Sequence, residues 1–360
     1  VNFLAVSVSL EASGIRESLR QRRAPKLLII VALSVLAVVL FGISVTISGL
    51  DITFVGVFQT LYNHIMGIPA TGDAKVDDII IWNKNLPRAV FALFGGAALG
   101  VGGAVMQAVM RNPLADPYTT GVSSGASLGV SLAVILGFSV SALALTTVMY
   151  AFVMALVPML VVLMLSPTSK TSPAALILIG IAIAYFFNAV NTVLLSTASV
   201  ETLAQIYIWQ VGSLDAIQWF SVEVVAASTA VGMVILILMS RILNVMSLND
   251  KEAKSLGISV DNCRTILLVV VSFITAAVVS FAGIIGFIGL LVPHIVRSLI
   301  GNNNVYVIPA SAAFGAVFLL SCDIAARLLV GSAMPVGVMV SFIGAPLFLV
   351  LILRNSKELW

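Results

Sequence analysis

Ten uninterrupted apolar runs, with almost all of the chain's charge confined to the short gaps between them, leave this polypeptide few ways to fold. The runs cover residues 27–47, 87–109, 118–138, 142–165, 173–195, 220–240, 265–282, 284–300, 306–330 and 335–353. A hydrocarbon layer of ~30 Å is crossed by about 20 apolar residues in a helix, and each run is close to that length. In lipid, every backbone N–H and C=O must be paired inside its own helix or inside a closed sheet. The runs are continuously apolar and do not alternate, which argues against a barrel. The expected fold is therefore all-α, a polytopic membrane helix bundle of about ten transmembrane helices with a short cytoplasmic coupling helix. With 60% hydrophobic and 9% charged residues, the chain holds more apolar surface than a soluble core of this length can bury.

The organisation reads as a basic tail over residues 1–26, a transmembrane domain over 27–354 and a C-terminal tail over 355–360. The stretch Val1 to Leu10 is apolar but too short to cross. The first run is longer than the core of a secretory signal and has no small-residue cleavage pattern, so it is expected to stay as a span. With a cytoplasmic N-terminus, ten crossings place both termini inside and leave only Lys75, Lys84, Arg88 and Arg327 outside, four of the 18 Lys and Arg. The remaining fourteen lie inside, the bias expected of a multi-pass membrane protein with a cytoplasmic N-terminus. The net charge of +3 then reports topology, and nucleic acid is not expected as a partner.

What the spans lack narrows what they do. Ion-driven carriers keep carboxylates near the midplane, because an intramembrane charge is costly. Here Asp323 is the only acid well inside a span, and Arg327, four residues on, lies on the same face to neutralise it. Glu223 stands at a span mouth. No Gly-x-x-x-x-Gly-Lys-Ser/Thr phosphate loop occurs, so uphill movement would need energy from another chain. Cys263 and Cys322 are too far apart in sequence to suggest a zinc site or a disulfide framework. His294 is expected to be a hydrogen-bonding partner near the inner interface, and the twelve methionines to be soft packing.

Several local patterns carry physical meaning. Gly96 and Gly100, and Gly121, Gly125 and Gly129, recur every fourth residue and give helix faces on which backbones approach closely. Gly283, Gly286 and Gly289 predict a broken or re-entrant helix, and Pro293 frees backbone groups within the next run. In RNPLADP, residues 111–117, Pro113 and Pro117 stop helices, Asn112 and Asp116 can satisfy freed backbone groups, and Leu114 is left apolar at a water-facing mouth. Thr171 and Ser172 read as a helix cap ahead of Pro173. The longest internal polar loop, 247–264, predicts a short helix over Lys251 to Leu256 closed by Gly257, with Glu252, Lys254 and Asp261 wet and Ala253, Leu256 and Ile258 apolar. It is either a docking surface for an energy-supplying chain or an ordinary amphipathic connector.

The blocks LPRAVFALFGGAALGVGGAVMQAVMRNPLADP (86–117), GVSSGASLG (121–129), WQVGSL (209–214), EAKSLGI (252–258), GIIGFIGLLVPHIVR (283–297), DIAAR (323–327) and MPVGVMVSFIGAPLFLVLI (334–352) resemble the permease subunits of ABC importers for iron-siderophores, haem and cobalamin. The resemblance implies a non-catalytic permease that pairs with a second permease copy to form the path. It binds no cofactor itself, ATP and Mg being held by separate ABC ATPase subunits, and it receives its chelate from an extracytoplasmic substrate-binding protein. By the same resemblance, Asn112, Leu114, Thr171 and Ser172 are cytoplasmic gate residues, and Glu252, Ala253, Leu256 and Gly257 lie in the ATPase-coupling segment. Arg88 and Arg327 would dock the binding protein, with Lys84 a candidate substitute because Asn85 stands where the family often has a second arginine. Siderophore-bound iron is the first expectation for the cargo. An ion-coupled secondary carrier or channel is the alternative, and a membrane scaffold without transport a third reading.

Overall fold

The structure, a computed structural model, describes residues 2–47, 54–69, 72–137, 145–165, 173–330 and 334–355. The expected Thr171 and Ser172, the start of the fourth run at 142–144 and most of the C-terminal tail lie outside the described residues. Fourteen α-helices follow in chain order among them: α1 Asn2–Thr46, α2 Phe54–Ile65, α3 Asp73–Ile80, α4 Leu86–Met110, α5 Val122–Ile135, α6 Leu145–Leu165, α7 Pro173–Ser196, α8 Val200–Gln210, α9 Trp219–Met246, α10 Asp250–Ser255, α11 Val260–Ala282, α12 Ile288–Ile300, α13 Asn304–Val330 and α14 Val336–Asn355. Eight segments are long and apolar enough to cross a bilayer, and two shorter apolar helices, α5 and α12, fall on the remaining two runs. The result is a helical membrane bundle. Three helices, α2, α3 and α8, were not visible as separate elements in the apolar pattern.

The centre of the bundle is α4, which packs against α13, α9, α12 and α11. Its span is 83% buried inside the protein, against 17% for the span in α1 and 22% for α7. A helix apolar on all sides belongs either in a core or against lipid, and these shares separate the two cases. The outer faces carry Leu178, Tyr185, Phe186, Leu238, Phe342 and Leu353, all well exposed and suited to hydrocarbon or to another protein.

Glycine explains how so many neighbours reach α4. A Cβ on Gly96 would run into the carbonyl of Gly315 in α13, and one on Gly315 into that of Gly96. Gly100 meets the carbonyl of Ser311, and Gly103 the backbone of Gly289 at the start of α12. The same device seats α5 on α6, where Gly125 and Gly129 face the carbonyls of Met154 and Tyr150. Without water to drive helices together, such backbone approach and interhelical hydrogen bonds supply the cohesion. One set of those bonds joins α5, α7 and α8, with Asn191 and Gln210 both donating to Ser127 Oγ at 3.2 and 2.6 Å.

The glycine-rich break is present. Helix α11 stops at Ala282, Gly283 adopts φ +73°, and Phe287 takes φ +64° before α12 begins. At 13 residues α12 is too short for a full crossing. Its companion is the segment after α4, where a 3-10 turn, Pro117–Thr120, precedes the short α5. The two segments meet inside the bundle: Gly289 lies against Pro117 and Asp116, and Tyr118 Oη donates to the Ile285 carbonyl at 2.9 Å.

Overfilling the α4 contact has a definite cost. Gly96→Val should lower stability by about 1–3 kcal/mol or more, read as a fall in thermal midpoint in detergent, whereas Gly42→Ala, with open space around it in α1, should leave the midpoint unchanged or raise it slightly.

Candidate functional site

Helix α4 carries a charged residue at each end, and each organises a site. At the N-terminal end the chain runs without interruption from α3 through a π-helical turn, Ile81–Asn85, into α4. Wide turns of this kind loosen the backbone pairing. Here the Trp82 carbonyl accepts from Trp219 Nε1 at 3.0 Å, with His64 stacked on Trp82 at 3.8 Å and its Nδ1 2.9 Å from Asp78 Oδ1. One turn on, Arg88 donates from Nε to Asp323 Oδ1 at 2.8 Å and from Nη1 to Asp215, and its Nη2 forms an ion pair with Asp323 Oδ1 at 2.7 Å. Arg327 pairs with the other oxygen of Asp323 at 2.9 Å. The neutralisation of Asp323 by Arg327 is as the spacing implies, but the partner 235 residues away in sequence, Arg88, was not foreseen.

This arrangement revises the picture of two open arginines at span mouths. Arg88 and Arg327 have side-chain exposures of only 2% and 6%, and both are already held by carboxylates. A partner acid would meet Asp215, 33% exposed, before it met Arg88. Lys84 is exposed. Asn85 is buried and caps a neighbouring helix: its Nδ2 donates to the carbonyls of Val45 and Ile47, and Arg327 donates to those of Ser44 and Ile47. The last carbonyls of α1, which no helix can pair internally, are thus satisfied from the start of α4 and from α13.

Asp215 is placed by a knot of backbone. Ser213 N donates to the Ala282 carbonyl and Gly337 N to that of Gly212, while Gly212, Gly283 and Gly337 each leave no room for a Cβ. The WQVGSL and GIIGF blocks are therefore one structure, touching at the Arg88 end. Asp215 follows WQVGSL directly, and as the single acid of that loop it was open to detection.

At the other end of α4, Arg111 takes the left-handed conformation, φ 48°, and turns the chain into RNPLADP. Asn112 Oδ1 accepts from Leu114 N at 2.9 Å and Asp116 Oδ1 from Thr119 N at 3.0 Å, the backbone roles expected of them. Leu114, the apolar residue of this loop, is 55% exposed. Arg111 itself reaches away from this loop, donating to the last carbonyl of α9, Met246, from Nε at 3.0 Å and Nη2 at 2.7 Å, and to Asp250 Oδ1 at 2.5 Å. Asp250 also takes Arg264 of α11 at 3.1 Å. One carboxylate thus ties the ends of α4 and α11 to the first turn of α10.

Helix α10 is the short helix expected in the 247–264 loop, shifted by one residue. Asn249 caps it by accepting from Glu252 N at 2.8 Å, and Gly257, φ +81°, closes it, with Ile258 N donating to the Ala253 carbonyl. Glu252 and Lys254 are exposed and Ala253 is buried, as expected. On the apolar side Leu256 points outward, 66% exposed, and Leu248 flanks it at 60%. Partial burial pushes the Asp250 carboxyl up, but the hydrogen bonds and charges of Arg264 and Arg111 outweigh this and hold it below its ordinary value of 3.8.

His294 does not act as the expected hydrogen-bonding partner. Its ring packs edge-on to Phe348 at 6.3 Å, and its Nε2 has no hydrogen bond among the described residues. Cys263 and Cys322 are free thiols, half-buried and buried. Among the described residues no cluster of three His, Cys, Asp or Glu is placed to hold a metal.

Two measurements check these geometries. Arg88→Met should lower stability by about 3–5 kcal/mol, because Asp323 would lose half its countercharge in a buried site, while Lys84→Met should stay within about 0.5 kcal/mol. A depressed Asp250 pKa means that the clamp is complete above the ordinary carboxylate range and is lost only as pH falls through that lower value. Hydrogen exchange at residues 249–257, corrected for intrinsic rate, should therefore be flat from about pH 8 to pH 5 and rise in Asp250→Asn.

A model of the FecCD transport family matches residues 36–354. The hemin transport system permease of Yersinia pestis is 37% identical over 341 residues, covering 94% of this chain and 98% of that protein. The Fe(3+)-citrate import system permease of Bacillus subtilis is 32% identical over 343 residues, covering 95% and 99%. Among solved structures, a chain in an inward-facing conformation, described as belonging to the metal-chelate type of ABC transporter, superposes with TM-score 0.79 at 30% identity, covering 91% of this chain and 99% of the other. Matched end to end in sequence and in helical architecture, the chain belongs to the FecCD transport family.

Proposed function

We propose that this chain is the permease subunit of an ATP-driven importer for a metal chelate of the iron-siderophore, haem or cobalamin class, and that two copies line the path. The observation that carries the reading is mechanical. A single buried helix, α4, joins a charged mouth at Arg88 to an exposed helix, α10, through the Arg111–Asp250–Arg264 clamp. ABC ATPase subunits, which hold the ATP and Mg, would seat on α10 around Glu252, Leu256 and Leu248. Leu256 is the apolar knob that an ATPase groove would cover, and Ala253 and Gly257 fix the helix that presents it. The family relation and the excess of basic residues on the α10 side support a cytoplasmic position for that side, with both termini, in a prokaryotic cell.

In this scheme Asn112 and Leu114 form the cytoplasmic constriction, with Thr171 and Ser172 from the segment before α7. Closure of the ATPase pair moves α10, and Arg111 passes the displacement to the loop that begins one residue later. The binding protein docks at the opposite end through Lys84 and by exchanging its own acid for Asp215 on Arg88, with Arg327 holding Asp323 in place. Both partners bias one equilibrium between two packings of the bundle. The ion-coupled carrier is less well supported: Asp323, the acid that would carry coupling, is fully buried between two arginines and is not free to bind and release a cation.

Reconstituted vesicles test the scheme. The chain alone should not concentrate a chelate, and it should do so with its ATPase, ATP and binding protein; accumulation by the chain alone under an ion gradient would overturn the reading. Leu256→Arg and Gly257→Val should reduce stimulated ATP hydrolysis and transport together. Arg111→Met should act differently, keeping hydrolysis and losing at least about tenfold in transport per ATP, equivalent to ~1.4 kcal/mol of coupling.

A further inference from the structure

Between α1, α4, α9 and α13 lies a recess of 410 Å³ whose walls include Ile30 and Val38 of α1, Phe94 of α4, Met233 of α9, and Ala312 and Ala316 of α13. Alanines form its floor, so the space exists because side chains there are short. An apolar cavity of about 150 Å³ already stays dry and takes up a benzene-sized molecule, and this one is larger and lies along the middle of three spans. Its rim faces outward: Val38 is 66% exposed, and Ala230 of α9 is exposed as well. At the middle of a bilayer the surrounding solvent is hydrocarbon.

The recess ends in positive charge. Lys26 precedes Ile30 by one turn and shares its stripe on α1, and its Nζ stands 5.5 Å over the ring of Tyr306, three residues before the lining residue Pro309. On α9, Arg241 shares a face with Ala230 and Ile237, since steps of seven and eleven residues return to the same side of a helix. The loop 301–304 draws the two helices to one level. Lys26 Nζ approaches Gly301, while Asn244 of α9 donates to Asn303 Oδ1 at 2.9 Å and accepts from Asn304 N at 2.8 Å. Among the described residues neither Lys26 nor Arg241 has a carboxylate partner. Unpaired cations at the interfacial end of an apolar slot between helices are complementary to an anionic headgroup on an acyl chain.

We propose that this recess binds one anionic phospholipid, its acyl chain between α1 and α9 and its phosphate on Lys26 and Arg241. The lipid completes the packing of α1, which otherwise rests mainly on α13, and it makes the bundle's stability depend on membrane composition. The site is independent of the transport mechanism.

Native mass spectrometry of the full-length chain, delipidated in detergent and titrated with phosphatidylglycerol or phosphatidylcholine of the same acyl length, tests this. One phosphatidylglycerol should be retained at least about tenfold more strongly than phosphatidylcholine. Lys26→Gln with Arg241→Gln should abolish that preference and leave phosphatidylcholine binding unchanged, and Ala313→Phe, which fills the recess, should remove both. Should Ala313→Phe fail to fold, Val38→Trp at the exposed rim blocks the same space. Equal retention of the two lipids would mean bulk lipid only and overturn the proposal. So would a preference that survives either pair of changes, or displacement of the lipid by millimolar inorganic phosphate, which would mark a free-phosphate site.

Discussion

The contact on which the rest of the protein depends is backbone against backbone, along the glycine face of α4. Gly96, Gly100 and Gly103 let α13 and the start of α12 reach the helix surface itself. In lipid, apolar side chains gain little by leaving one hydrocarbon environment for another, so cohesion must come from close packing and from paired polar groups. A central helix sheathed in this way is stiff and stays at a fixed height, and that fixes where its two ends stand. Arg88 and Arg111 are therefore tied to one rigid body.

The second constraint is that polar groups in such a bundle must find partners. Asp323 is fully buried and is answered by two arginines from different helices. The terminal carbonyls of α1 are answered by Asn85 and Arg327, and the broken segment 283–287 by Tyr118, Ser213 and the glycine contacts around it. Each answer joins two distant parts of the chain, so the polar groups that lipid forbids to stand alone also hold the helices in register. The two discontinuous segments, 111–121 and 283–287, survive because they face one another and not lipid.

For function, the consequence is a division of labour along one axis. The Arg88 end is closed, with charges paired internally and Asp215 as its exposed member. The α10 end is open, with Leu248 and Leu256 exposed and Asp250 as the junction among three helices. The RNPLADP loop and α10 share one connection, and Arg111 is the residue where the two meet.

Much of this was legible in the chain itself. The ten apolar runs gave the class of fold, because the thickness of a bilayer and the obligation to pair backbone groups leave apolar helices as the solution. Glycine spacing gave the close-packed faces, and proline and glycine the broken segments, since both act through local sterics. Long-range partners were not legible. Nothing in the spacing of Arg88 indicates that Asp215 and Asp323 will surround it, nor does Asn85 announce that it caps a helix ending some forty residues earlier. His294 read as a polar partner and proved to be an aromatic contact, because its neighbour Phe348 arrives from α14. Sequence alone determined the ten apolar segments, eight of them long enough to cross, and which helix faces could touch. Tertiary structure alone decided which charges meet, because in a bundle that choice depends on the order of helices around α4, which local pattern does not encode.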